Sequence, residues 1–73
     1  MSSHLTAIVE REGEGYVALC PQVDVASQGL IVGEARENLA EALTLFVETA
    51  SANDIDQRLR GEIYVTQIEV AVG

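Results

Sequence analysis

Apolar and polar residues alternate near the start of the chain. Leu5, Ala7 and Val9 are apolar, His4, Thr6 and Glu10 lie between them, and Ile8 alone breaks the rhythm. A period of two predicts a half-buried strand over residues 5–9. Glu12, Gly13, Glu14 and Gly15 follow, and two glycines in four residues suit a tight hairpin. A second strand is expected over residues 16–20, closed by Pro21, which cannot donate to a ladder. After a short turn at residues 22–24, a third is expected over 25–30. The period then changes: Ala35, Leu39, Ala42, Leu43, Phe46, Val47 and Ala50 fall at helical spacing. They predict an amphipathic helix over residues 33–51, with Glu34 and Glu37 in its first turns, where the helix dipole favours negative charge. Its start has no Ser, Thr, Asp or Asn to serve as N-cap. Residues 52–61 read as a polar loop. Residues 63–72 are strand-formers, Ile63 and Val65 in one phase and Ile68, Val70 and Val72 in the other, so a bulge near Thr66 and Gln67 is expected.

The expected fold class is therefore α+β, β-β-β-α-β in two layers. One helix packs on a four-stranded mixed sheet, and a right-handed crossover lays the last strand beside and parallel to the first. All 73 residues form one domain. A chain this short buries only roughly 60% of its unfolded surface and usually needs an additional staple. One cysteine, Cys20, allows no internal disulfide, and with one histidine, His4, it cannot furnish four ligands for a structural zinc. Oligomerisation is the staple that is left, with Ile68, Val70 and Val72 as the candidate interface.

Charge narrows the function further. Twelve acidic residues face four arginines and no lysine, a net charge of −8. That sign repels a phosphate backbone, so direct nucleic-acid binding is not expected, and it steers the chain toward a basic partner. No apolar run reaches the length of a membrane span, and residues 1–6 lack the basic and apolar regions of a signal peptide. A cytoplasmic location is expected.

The second strand and the helix carry a resemblance. Tyr16, Ala18 and Pro21, then Ser27 and Gly29, then Glu34-Ala35, Asn38 and Glu41-Ala42-Leu43 follow one another in the order found in HicB-like antitoxin domains. The chain resembles that family over residues 5–50. The resemblance implies a partial ribonuclease H-like fold without ribonuclease activity. It implies a partner of the HicA type, a small basic RNase toxin whose surface the antitoxin covers. Many members add a DNA-binding domain. This sequence ends at Gly73, so the stand-alone form is expected, and Leu30 and Ile31 replace the family's polar residue and Thr before the helix.

Catalytic chemistry is not expected. A two-metal nuclease needs converging carboxylates, and Glu10, Glu41, Glu48 and Glu69 are the one set available. Cys20 as a nucleophile would need a base and an orienting group, and His4 lies on another strand. Gly13 and Gly15 lack the lysine and the following helix of a phosphate loop. No cofactor or metal is implied. Glu37, Glu41, Thr44 and Glu48 fall on one helical stripe, a solvated face or a docking ridge for a basic partner. Arg58 and Arg60 form the one basic cluster. The expected function is a non-catalytic protein-binding module, a HicB-like antitoxin that would cover a basic HicA-type toxin through Glu37, Glu41 and Glu48. The alternatives are an orphan self-associating structural domain with no toxin and, less favoured, a small nuclease.

Overall fold

The computed structural model describes residues 4–73; residues 1–3, the first part of the segment expected not to be a signal peptide, lie outside it. Three strands and two helices follow one another: β1 (Ile8–Glu12), β2 (Gly15–Cys20), β3 (Val25–Gly29), α1 (Val32–Thr49) and α2 (Ala52–Leu59). The strands form an antiparallel sheet in the order β1-β2-β3.

Each turn of the meander has a local cause. Glu12 pairs with Gly15, so the first hairpin loop is the two residues Gly13 and Glu14. Gly13 takes φ +60, the left-handed conformation that a hairpin matching the strand twist demands at this position. The second connection, residues 21–24, holds Asp24 at φ 55, which a short polar side chain tolerates. Val23 is buried inside that turn.

Register divides the sheet into two faces. Val9, Ala18 and Ser27 lie in one row and Arg11, Tyr16 and Gly29 in another, on the side covered by α1. Ile8, Leu19 and Ala26, and Glu10, Val17 and Gln28, form the rows of the opposite face, which neither helix covers. Ala18, Cys20, Val23, Ala35 and Leu39 are the buried core among the described residues, with Leu43 and Phe46 packed against it. Three of those five side chains are no larger than Cys, so the core is small even for this chain length.

Helix α1 is held tightly over β3. A Cβ on Gly29 would lie 2.5 Å from the Ala35 nitrogen, so only glycine permits this approach. Asn38 Nδ2 donates to the Gln28 carbonyl at 2.8 Å, tying the helix to the same strand. The missing N-cap expected from the sequence is observed: Ile31 occupies the position in an extended conformation and makes no side-chain cap. Glu34 compensates in part, its Oε1 accepting from the Leu30 amide at 2.9 Å.

Two expectations are corrected here. Residues 52–61 are not a loop: α2 runs from Ala52 to Leu59, with Ser51 accepting a hydrogen bond from the Asp54 amide at 3.1 Å as its N-cap. Residues 63–72 are not a strand. They run without helix, turn, bend or pairing, and every residue from 60 to 73 is exposed. The four-stranded mixed sheet and the partial ribonuclease H-like arrangement are thereby overturned, with the bulge near Thr66 and Gln67. The chain forms a three-stranded antiparallel sheet with two helices, which remains α+β. The physical reason is that alternation records an affinity for a pleated, half-buried surface, and a strand exists only where a neighbouring strand supplies the ladder. The other boundaries shift by a few residues, β1 most of all, beginning at Ile8 rather than at residue 5.

Candidate functional site

The outward face of α1 is the most strongly charged surface built by one element. At 100° per residue, Glu37, Glu41, Thr44 and Glu48 fall on a narrow stripe, opposite the Ala35, Leu39 and Phe46 side that meets the sheet. All four are exposed. Among the described residues the ion pairs are Arg58–Asp54 at 3.2 Å within α2 and Arg60–Asp56 at 2.8 Å across its C-terminal end, so no cation neutralises the stripe. Arg36, the one cation of α1, is exposed and about 100° around the helix from Glu37. Thr44 turns its hydroxyl back to the Ala40 carbonyl at 2.9 Å, leaving the three glutamates as the functional groups of the ridge.

The other carboxylates do not join them. Glu10 stands on β1 on the sheet face turned away from α1, Glu41 and Glu48 on the outer side of that helix, and Glu69 in the unpaired C-terminal stretch. Among the described residues no group of three or more His, Cys, Asp or Glu is placed to hold a metal ion. A shallow groove at one end of the sheet is lined by Glu12, Tyr16, Val17, Gln28, Leu30 and Glu34. It carries two carboxylates, and Glu34 is already engaged by the Leu30 amide.

Cys20 is fully buried and donates to Gln22 Oε1 at 3.3 Å. The same Gln22 side chain donates to Thr6 Oγ1 at 2.8 Å and accepts from the Thr6 amide at 3.2 Å. This clamp fastens the segment ahead of β1 to the turn after β2, so Cys20 belongs to the packing of that corner. His4 is exposed.

Arg58 and Arg60 have intrachain tasks. Arg60 pairs with Asp56. Arg58 pairs with Asp54, reaches the Val23 carbonyl at 3.4 Å and lies 5.6 Å over the Phe46 ring, which docks α2 against the corner of the core. A capping signal, Ser51 ahead of α2 with Asp54 in its first turn, was present in the sequence and would have found it. Tyr64 donates to Glu62 at 2.6 Å, and this hydrogen bond, with a smaller desolvation effect, raises the phenol above its ordinary ionisation range.

Ile68, Val70 and Val72, the candidate interface, are 83%, 68% and 92% exposed. No helix among the described residues is long and apolar enough to cross a membrane. No protein-family model, curated protein or solved structure matches the chain.

Proposed function

We propose that this chain is a non-catalytic protein-binding module of the cytoplasm, a HicB-like antitoxin that neutralises a small basic RNase toxin by covering its surface. The observation that carries the reading is the uncompensated ridge of Glu37, Glu41 and Glu48, exposed along α1 and backed by a chain of net charge −8. A toxin that binds RNA presents a basic surface, and an acidic ridge both speeds its encounter and competes for the cations that would hold phosphate. Each glutamate stands on a helix whose other face is anchored in the core, so the ridge is presented without ordering a loop.

The test looks beside this chain's reading frame for one that encodes a short, basic, His-containing protein and uses its product; the absence of such a frame would count against the antitoxin reading. Co-expression of this chain should restore growth and suppress RNA cleavage by that product. The double variant Glu41→Lys/Glu48→Lys should keep its helical circular dichroism, because both positions are exposed, and lose the protection. Failure of the wild-type chain to bind or inhibit that product would remove the antitoxin reading, and undiminished protection by the double variant would remove the ridge as its binding surface.

A further inference from the structure

We infer that the C-terminal stretch, residues 62–73, is an exchange strand that pairs with the free edge of β1 in a second copy of this chain. The sheet of each chain keeps its own three strands, and the additional strand comes from the partner.

The first argument is the amount of surface left bare. A compact protein of 7.8 kDa exposes about 4,400 Å². This chain exposes 5969 Å². The excess is on the order of 1,600 Å² per chain, and a stable pairwise interface buries that much in total. The radius of gyration agrees: it is 14.3 Å, against about 11 Å for a compact domain of this length. The long axis reaches 48 Å.

The second argument is where the bare surface lies. Tyr64, Ile68, Val70 and Val72 are all exposed large side chains of the stretch. In an extended chain they share one face with Thr66, so from residue 64 to 72 that face consists of aromatic and β-branched residues, the types best suited to a sheet, with Glu62 at its start. Residues 62–73 contain two of the chain's twelve carboxylates, Glu62 and Glu69, so little of its net repulsion falls on the contact.

The third argument selects the edge. β2 is paired on both sides. β3 is held under α1, with the Gln28 carbonyl taken by Asn38 and the Gly29 backbone pressed against Ala35. Among the described residues β1 pairs with β2 alone, and its other side has no strand neighbour. Unpaired backbone groups along such an edge are a template for an added strand. Arg11 stands between Glu10 and Glu12 on β1 and is engaged by Tyr16, so the pairing rests on backbone and apolar groups rather than on charge. Two copies exchanging the same segment reciprocally close on a two-fold axis and leave neither tail unpaired. This pairing does not depend on whether a basic protein binds the α1 ridge.

The experiment is cross-linking between differently labelled copies, with the unmodified chain measured alongside. In a Cys20→Ala background, Glu10→Cys supplies a thiol on β1 and Val70→Cys supplies one on the tail. Mixing the two variants with a short bismaleimide should give a covalent two-chain product that neither variant gives alone. The wild-type chain should sediment as a dimer at the same concentration. Its β1 and tail amides should exchange more slowly as concentration rises. Ile68→Asp/Val70→Asp, at positions exposed within one chain, should raise the dimer dissociation constant at least about 100-fold with unchanged circular dichroism. A monomeric wild-type chain would overturn the proposal. So would an intrachain loop in a variant carrying both thiols, or cross-linking of tail to tail alone. Should the Cys20→Ala background fail to fold, sedimentation and hydrogen exchange on the unmodified chain decide the matter.

Discussion

β2 and the C-terminal stretch are written in much the same residues and meet opposite fates. In β2, Ala18 and Cys20 are fully buried between α1 and two neighbouring strands. In residues 63–72, Ile68, Val70 and Val72 recur with the same spacing of two and lie in solvent. Composition cannot explain the difference, because the buried pair is the smaller and less apolar one. Neighbours explain it. β2 has ladders on both sides and a helix above it, whereas the tail pairs with no strand among the described residues. Burial is a property of the site a segment reaches, and hydrophobicity only states what reaching a site would yield.

Substitutions on the two sides sharpen this contrast. The largest effect belongs to Leu39→Ala. Leu39 is 1% exposed and is the largest fully buried side chain, so its truncation should cost about 2–5 kcal/mol in chemical denaturation. A loss under 1 kcal/mol would mean that the small core is not what holds the body together. Gly29→Ala comes next. Its Cβ would meet backbone atoms of Ala35 and Glu34, which can yield only by lifting α1 off β3, at about 1–3 kcal/mol. A variant as stable as wild type would show that the helix is not held at this distance in solution.

A smaller change, in the stabilising direction, is expected from Ile31→Asp. The residue already has the extended conformation of an N-cap and an exposed side chain. A carboxylate there should raise the unfolding free energy by about 1 kcal/mol, read from the denaturation midpoint. No gain would indicate that Leu30 and Ile31 make apolar contacts worth as much as a cap. The smallest effect is on the other side of the comparison. Ile68→Ala, measured at a concentration where the chain is monomeric, should change unfolding by less than about 0.5 kcal/mol. A larger loss would mean that the tail packs on its own body.

Ala18 and Ala35 are core residues, Gly29 admits the helix, and Asn38 ties that helix to β3. These residues build the β-β-β-α body. The proposed binding function rests on Glu37, Glu41 and Glu48, which stand on the opposite side of α1.

The meander and the long helix were legible in the sequence because their causes are local. A period of two with Gly13 and Pro21 as punctuation marks strands and turns, and the spacing of Ala35, Leu39, Leu43 and Phe46 marks one helical face. The acidic stripe was legible for the same reason, since position on a helix follows from residue number alone. The Ser51 cap of α2 was equally local and was hidden by a run of turn-forming residues, Asn53, Asp54 and Asp56, that also serve well in a first helical turn. Other features were decided only by tertiary structure. Nothing in the spacing says that Gly29 lies against Ala35, that Gln22 clamps Thr6, or that Arg58 spans from α2 to Val23. The fate of residues 63–72 belongs with them. Their alternation determined a readiness to pair, but a ladder is a contact between two segments, and which segment answers is settled by where the rest of the chain has already placed its edges.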